Sequence, residues 1–206
     1  MQVNRKAVFL DKDGTIIPDI PYNADPNRIT FEKGVVRGLK ELAANGFVFI
    51  IITNQSGIAK GYFTEDEIFE VKKALARLFI EEGLPPFEGF YFCPHHPDGI
   101  VSRFSYACNC RKPQPGLLER AAEDHHISLS QSWMIGDILN DVEAGNRAGC
   151  KTILIDNGNE TEWMVDGYYR RPYYVASDFL EAANKIITHL STVDHEPKIN
   201  RFSPSV

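Results

Sequence analysis

The sequence lacks the features of membrane proteins and of nucleic-acid-binding proteins. Its longest unbroken apolar run, FVFIII at 47–52, is far too short to span a bilayer. The net charge is -6 and no basic block stands out, so little is available to neutralise the phosphates of a nucleic acid. Only four apolar residues separate Lys6 from Asp11, which is not the pattern of a signal peptide. We therefore expect a cytoplasmic protein.

Cysteine is scarce, and its distribution is uneven. Three of the four cysteines fall within 18 residues, and such clustering in a cytosolic chain favours a metal over disulfides. The pairs Cys93-x-His95 and Cys108-x-Cys110 supply three sulfurs and one imidazole, which is the ligand set of a closed, tetrahedral structural zinc site. Free thiols, or a disulfide between Cys108 and Cys110, are the alternative.

The chain also lacks internal repeats, low-complexity tracts and an interdomain linker. Its 206 residues suffice for one domain with a substantial core. We expect a single domain over residues 1–190, in which the zinc loop at about 93–110 is an insertion. Residues 191–206 show no pattern and are expected to form a mobile tail.

Apolar runs alternate along the chain with segments of helical periodicity. Predicted strands lie at 7–10, 47–53, 89–92, 132–136, 151–155 and 173–176. Predicted helices lie at 32–45, 64–82 with a capping box of Thr64 and Glu67, 115 onward, 139–148, and after Ser177 as the cap. This alternation predicts an α/β fold with a doubly wound, mostly parallel, Rossmann-like sheet.

Three predicted strands end in polar, reactive sequence. The first runs into LDKDGT, the second into TNQSG and the fourth into GDILND. The carboxyl ends of parallel strands share one edge of the sheet, where ligands of open α/β folds bind. Asp11, Asp13 and Asp137 are therefore expected to meet at that edge although they are remote in sequence.

Carboxylates gathered at one edge repel one another unless a cation lies between them. Oxygen ligands with few nitrogens predict Mg²⁺, which commonly shares its coordination shell with a substrate phosphate. One carboxylate of DKD can then attack phosphorus, and the other can act as general acid and base. We expect Thr53 and Lys112 to bind the phosphoryl oxygens. Taken alone, DKDGT also fits a solvated turn.

Four segments, FLDKDGT, ITNQSGIAKGYFT, CRKPQPG and MIGDILND, resemble in order the four motifs of the haloacid dehalogenase superfamily phosphatases. The resemblance covers about residues 7–156 and implies the fold of that superfamily with an inserted zinc-binding loop. The segments NQSGIAKGYFTE and CPHHPDG…CNCRKPQPG narrow it to enzymes that act on small phosphorylated sugars. A sugar bisphosphate is the substrate that this implies.

The resemblance also implies roles for individual residues. Asp11 matches the nucleophile, Asp13 matches the general acid and base that gives Mg²⁺ its backbone carbonyl, and Asp137 matches the metal carboxylate. Thr53 and Lys112 match the residues that stabilise the phosphoryl group. The positions that match substrate-contacting residues are Asp19, Tyr22, Asn54, Gln55, Ser56 and Arg111.

The zinc set is implied as well, with His95 favoured over its neighbour His96. Arg111 and Lys112 follow Cys110 directly, so zinc is expected to fix the loop that presents them. Ile138 stands where some relatives carry a lysine, which puts one substrate or metal-shell contact in question.

Asp141 has two interpretations of equal weight. It bonds a lysine or joins the second shell of the metal, or it complements the N-terminus of the helix at 139–148.

Other functions fit parts of the sequence. A histidinol-phosphate phosphatase has a similar zinc loop and aspartate motif. A phospho-receiver signalling module is also doubly wound, but it needs its phosphorylated aspartate after a middle strand, and the second strand here ends in TNQ. A zinc-organised binding module without catalysis is the third alternative. We expect a monomer that binds a small phosphorylated sugar and neither nucleic acid nor membrane.

Overall fold

The computed structural model describes residues 5–194, and within them six strands form one parallel sheet. The strands are β1 (Ala7–Leu10), β2 (Val48–Asn54), β3 (Gly89–Cys93), β4 (Trp133–Gly136), β5 (Lys151–Ile155) and β6 (Tyr174–Ala176). Their order is β3-β2-β1-β4-β5-β6, and neighbouring strands are parallel throughout. The predicted α/β architecture is confirmed.

Helices cover both faces of the sheet. They are α1 (Val35–Ala44), α2 (Glu65–Glu81), α3 (Gly116–His125), α4 (Leu139–Ala148) and α5 (Phe179–Asp194). Alternate residues of β1 enter opposite cores: Val8 and Leu10 pack with α1, α2 and α5, whereas Ala7 and Phe9 pack with α3 and α4. A strand buried on both faces must be apolar throughout, which accounts for the continuous run AVFL. Within residues 5–194, none of the helices has both the length and the apolar character needed to cross a membrane.

The strand order reverses between β1 and β4, and this reversal positions the site. β1 pairs with β2 on one side and with β4 on the other. The chain therefore leaves β1 toward one half of the sheet and reaches the other half only at β4. Loops that follow two such strands diverge and open a crevice at their carboxyl ends. A phospho-receiver places its strands in the order 2-1-3-4-5, so the observed order excludes that alternative.

The predicted start of α2 agrees with the structure, whereas the predicted start of α1 does not. The capping box is present, because the Glu67 carboxylate accepts the Thr64 N–H at 2.8 Å and Thr64 Oγ1 accepts the Glu67 N–H at 3.4 Å. The helix predicted from residue 32, however, begins only at Val35. Gly34 has φ +86°, and a residue in this left-handed region cannot continue a right-handed helix.

The predicted cap of the last helix is wrong by one residue. Asp178 Oδ1 accepts the Glu181 N–H at 2.8 Å, which is the contact of an N-cap side chain. Ser177 instead donates its N–H and its hydroxyl to the Glu181 carboxylate, each at 2.7 Å. α5 also continues to Asp194, so its last turn occupies the beginning of the predicted tail. Residues 195–206 lie outside the described part of the chain.

Candidate active site

A tight turn after β1 carries the two aspartates of DKD. The N–H groups of Ile16 and Ile17 both donate to the Lys12 carbonyl at 3.1 Å, and the Gly14 N–H donates to the Ile17 carbonyl at 2.8 Å. Gly14 has φ +77°, and a Cβ at this position would lie 2.0 Å from Asp137 Oδ2. Only glycine allows the turn to pass so close to the loop after β4.

Three buried carboxylates converge at the carboxyl ends of β1 and β4. Oxygen atoms of Asp11, Asp137 and Asp141 lie within 4.8 Å of one another. The ammonium group of Lys112 forms an ion pair with Asp11 and another, at 2.5 Å, with Asp141. The Thr15 hydroxyl donates to Asp137 Oδ1 at 3.3 Å. One lysine among three carboxylates leaves excess negative charge in a buried site.

Burial and mutual repulsion raise the pKa values of these acids. Burial raises the pKa of Asp11 well above its usual value, Lys112 opposes the rise, and the neighbouring carboxylates add to it. Burial also raises the pKa of Asp137 to about 7, with repulsion from Asp141 adding to the rise and the hydrogen bond from Asn159 opposing it. A divalent cation with a preference for oxygen ligands would remove this unfavourable charge. The donor set therefore fits Mg²⁺.

The structure shows that both interpretations of Asp141 hold. Its carboxylate pairs with the Lys112 ammonium, and its Oδ2 accepts the Ile138 N–H at 3.3 Å at the start of α4. Burial opposes the charge on Lys112, but the carboxylates of Asp11 and Asp141 outweigh it and raise the lysine pKa above its usual value. Lys112 is therefore a fixed positive charge beside Asp11.

Asn54 holds Lys112 in place. Its amide group donates to the Lys112 carbonyl at 3.1 Å, and its Oδ1 accepts the Lys112 N–H at 3.0 Å. The Lys112 ammonium also donates to the Ile52 carbonyl at 3.0 Å. The carboxyl end of β2 thus anchors the segment that follows the cysteine pair Cys108-x-Cys110. Asn54, expected from the sequence to contact substrate, also positions the lysine.

The Asp13 side chain lies outside the carboxylate cluster and has its own partners. Its Oδ1 pairs with the fully buried Lys12 at 2.5 Å. Its Oδ2 accepts from Gln55 Nε2 at 3.1 Å, and the same amide donates to Thr53 Oγ1 at 2.8 Å. Gln55 therefore connects the carboxylate of Asp13 with the hydroxyl of Thr53, the two side chains expected to act on the leaving group and on the phosphoryl group.

Two adjoining cavities hold most of the predicted site residues. The first, about 180 Å³, is lined by Asp11, Asp13, Asp19, Thr53, Asn54, Lys112, Asp137, Ile138 and Asn159. The second, about 300 Å³, includes Tyr22, Gln55 and Ser56 in its lining and shares Asp13, Asp19 and Asn54 with the first. A phosphoryl group and the rest of a small molecule can occupy adjacent spaces.

Arg111 lies on the segment next to these cavities. Its guanidinium donates to the His95 carbonyl at 3.5 Å, and Arg111 does not contribute to the lining of either cavity as the structure describes them. The side chain therefore packs back on the cysteine-histidine loop.

The cysteine-histidine loop brings its four predicted ligands together. The sulfur atoms of Cys93, Cys108 and Cys110 lie 3.0–3.5 Å apart, too far for a disulfide bond. His95 Nδ1 is 3.6 Å from the Cys93 sulfur and 3.2 Å from the Cys110 sulfur. Hydrogen bonding from Cys93 lowers the pKa of Cys110 to about 5, which favours the thiolate that a metal binds. Three sulfurs and one imidazole at this separation fit zinc.

The geometry agrees with the comparisons to known proteins. Residues 109–182 match the family described as HAD-hydrolase-like. The D-glycero-beta-D-manno-heptose-1,7-bisphosphate 7-phosphatase of Yersinia pestis is 40% identical over 153 residues, which cover 74% of this chain and 81% of the relative. The chain belongs to this phosphatase family. The protein of the same name from Escherichia coli K12 is 38% identical over 169 residues, covering 78% of this chain and 88% of the relative.

Solved structures support this membership. The D,D-heptose 1,7-bisphosphate phosphatase of B. bronchiseptica, determined with magnesium and phosphate, superposes with a TM-score of 0.76 at 26% identity, covering 89% of this chain and 99% of that one. A putative HAD-like phosphatase from Mesorhizobium loti gives a TM-score of 0.78 at 28% identity, covering 95% of this chain and 90% of that one. The predicted phosphatase family is therefore confirmed.

Two site residues of this family member were not found by sequence reasoning. Tyr106 places its hydroxyl 2.6 Å from His95 Nε2, so it fixes the imidazole whose other nitrogen faces the sulfurs. Asn159 donates to Asp137 Oδ2 at 2.7 Å. Asn159 follows β5 at the same edge of the sheet as the aspartates, and this position could have indicated a site residue. Nothing in the sequence around Tyr106 indicated its contact with His95.

Proposed function

We propose that this protein is a Mg²⁺-dependent phosphatase that removes the 7-phosphate of D-glycero-D-manno-heptose 1,7-bisphosphate through an aspartyl-phosphate intermediate. The names of the relatives at 38–40% identity support the substrate. The reaction would serve ADP- or GDP-heptose synthesis for surface glycans. The protein would work in the cytoplasm as a monomer with a single domain.

The convergence of Asp11, Asp137 and Lys112 carries the proposal. These residues come from three separate motifs, yet their charged groups meet beside a cavity at the point where the strand order reverses. Uncompensated buried charge destabilises a fold. Ion pairs that serve only stability are therefore not expected to leave an excess of buried negative charge. A site that is to hold a cation and a phosphoryl group does need this arrangement.

The residues have distinct chemical tasks in this mechanism. An oxygen of Asp11 attacks the phosphorus of the 7-phosphate, so that a carboxylate–phosphorus bond forms as the bond to the sugar oxygen breaks. Asp13 gives a proton to that departing oxygen and later takes one from the water that hydrolyses the aspartyl-phosphate. Lys112 and Thr53 would stabilise the negative charge on the transferring phosphoryl oxygens. The water's oxygen leaves with inorganic phosphate, and Asp11 is regenerated.

Two metals belong to the proposal. Mg²⁺ would be held by Asp11, Asp137 and the backbone carbonyl of Asp13, and when bound it screens the carboxylates and binds a phosphoryl oxygen. Zinc would be held by the remaining predicted ligands, which are Cys93, His95, Cys108 and Cys110. The zinc cluster begins at the last residue of β3 and ends next to Arg111, so its role would be to fix the loop that presents Arg111 and the following lysine.

Kinetics on a small set of substrates tests the proposed function. We expect rapid phosphate release from D-glycero-D-manno-heptose 1,7-bisphosphate, with ³¹P NMR showing that the 7-phosphate is lost and the 1-phosphate retained. Both anomers should be compared with fructose 1,6-bisphosphate and histidinol phosphate. Rapid turnover of histidinol phosphate without activity on either heptose anomer would reverse the choice of substrate.

Replacing the proposed general acid should affect substrates according to their leaving groups. For Asp13→Asn we expect kcat on the sugar bisphosphate to fall by about 10²–10⁴-fold, the usual contribution of general acid–base catalysis. Formation of the aspartyl-phosphate from p-nitrophenyl phosphate should be spared, because its leaving group departs without a proton. A burst of nitrophenol followed by slow turnover in rapid-mixing experiments is the expected observation.

The matched control is Asp156→Asn, which changes an exposed aspartate after β5 at the same edge of the sheet. It should keep the wild-type rate on both substrates. Equal losses on both substrates in the Asp13 variant, with no burst, would contradict the assignment of Asp13 as the acid for the leaving group.

Loss of one zinc ligand should weaken substrate binding before it affects the Mg²⁺ site. We expect Cys108→Ser to lose bound zinc and to raise KM, because the loop that presents Arg111 and Lys112 loses its fixed point. Zinc per chain can be measured by mass spectrometry of the metal. Cys150→Ala, a buried cysteine outside the cluster, is the control and should keep zinc. A Cys108→Ser protein with full zinc content would refute the ligand set.

A further inference from the structure

The loop after β5 reaches back to the carboxylate cluster. Asn159 donates its side-chain amide to Asp137 Oδ2 at 2.7 Å, and Thr15 donates to the other oxygen, Oδ1, at 3.3 Å. Both oxygens of Asp137 therefore have a hydrogen-bond donor that fixes the plane of the carboxylate. A carboxylate oxygen has two lone pairs, so an oxygen that accepts a hydrogen bond can still bind a cation.

Several contacts hold Asn159 in this position. Its own N–H donates to Asn157 Oδ1 at 3.1 Å, which closes a local turn. The amide of Asn157 donates to the Gly14 carbonyl at 2.8 Å, so the loop is tied to the turn after β1. Glu160 Oε2 accepts the Leu139 N–H at 2.6 Å at the start of α4, which ties the other side of the loop to the segment that carries Asp137.

Packing leaves the amide of Asn159 little freedom. A Cβ on Gly14 would lie 2.5 Å from Asn159 Nδ2 and 2.0 Å from Asp137 Oδ2. Three segments of the chain therefore meet within van der Waals distance at this carboxylate. Such close packing restricts where the amide can point once the loop is in place.

We propose that Asn159 is a positioning residue for the metal carboxylate Asp137, and that Glu160 acts through it by fixing the loop to α4. The inference rests on the proposed role of Asp137 as a Mg²⁺ ligand. A carboxylate held in the binding orientation before the cation arrives loses less conformational freedom when the cation binds. A hydrogen bond to one of its oxygens also fixes the direction of the lone pairs that remain free to bind the cation. Asn159 does not touch the reacting atoms in this role.

Calorimetric titration of the zinc-loaded protein with Mg²⁺, in the absence of substrate, tests the proposal. For Asn159→Ala we expect the Kd for Mg²⁺ to rise by about 10–100-fold, the usual effect of removing a partner of a metal ligand. Glu160→Gln should raise it less. In the Asn159→Ala background the Glu160 change should add nothing, because its effect passes through Asn159.

Glu162→Gln is the matched control, since it removes a charge from an exposed residue of the same loop. It should leave the Kd unchanged. An unchanged Kd in Asn159→Ala would overturn the inference, and additive effects of the two changes would overturn the role of Glu160. A wild-type protein that binds no Mg²⁺ would instead count against the proposed function, so the two failures are distinguishable.

Discussion

Replacing Asp11 with asparagine is expected to lower kcat for the sugar bisphosphate by roughly 10⁴-fold or more, the scale on which loss of a covalent nucleophile acts in other enzymes. The amide has nearly the shape of the carboxylate but cannot form a stable bond to phosphorus. Phosphate release at saturating Mg²⁺ is the measurement. The lost activity should not return with better leaving groups, which separates this variant from Asp13→Asn.

The same change should not weaken the fold. Asp11, Asp137 and Asp141 share one lysine, and burial together with repulsion already raises the pKa of Asp11. Removing one of three carboxylates relieves that repulsion, so without Mg²⁺ the free energy of unfolding should be equal to or higher than that of the wild type. Asp156→Asn again serves as control. If Asp11→Asn is inactive because it is unfolded, its inactivity cannot be attributed to loss of the nucleophile. That outcome would also contradict the claim that removing one carboxylate relieves repulsion in the cluster.

Replacing Lys112 with methionine is expected to lower both the stability of the fold and the activity. Removing one partner of a buried ion pair costs about 3–5 kcal/mol of unfolding free energy, because the other charge is left uncompensated. Here the carboxylates of Asp11 and Asp141 are both left. We also expect kcat to fall by about 10²–10³-fold through loss of a charge on the phosphoryl oxygens. Denaturant unfolding and phosphate release measure the two effects.

A second variant separates stability from catalysis. Adding Asp141→Asn to Lys112→Met removes one of the uncompensated carboxylates, so part of the lost stability should return while kcat stays low. Lys40→Met, an exposed lysine on α1, is the control and should change neither quantity. A double variant that is no more stable than Lys112→Met would contradict the claim that Lys112 stabilises the fold by compensating the buried carboxylates.

The sequence was sufficient where local pattern and position along the chain decide the structure. Continuous apolar runs located all six strands within a residue or two, and the helix at 139–148 was predicted with the observed bounds. The convergence of Asp11 with Asp137 followed from parallel strands having a common carboxyl edge. The cap of α5 shows the limit, because Ser177 and Asp178 are adjacent and both are favoured N-cap residues.

The sequence was insufficient where an irregular segment docks on a distant part of the fold. Residues 157–171 have no periodicity, yet they contact α4 through Glu160 and through the amide of Asn146, which donates to the carbonyls of Tyr169 and Arg171 at 2.8 and 2.9 Å. Only such docking places Asn159 against Asp137. The two interpretations of Asp141 were undecided for the same reason, since its lysine partner comes from a different motif.

Trapping of the covalent intermediate tests the central claim most directly. The wild-type enzyme, mixed with heptose 1,7-bisphosphate and Mg²⁺ and quenched in acid during turnover, should yield a peptide containing Asp11 that carries one additional phosphoryl group by mass spectrometry. The phosphoryl group should map to Asp11 and should be absent from Asp11→Asn. Full-rate phosphate release with no phosphorylated Asp11, or with the phosphoryl group on another residue, would contradict the account.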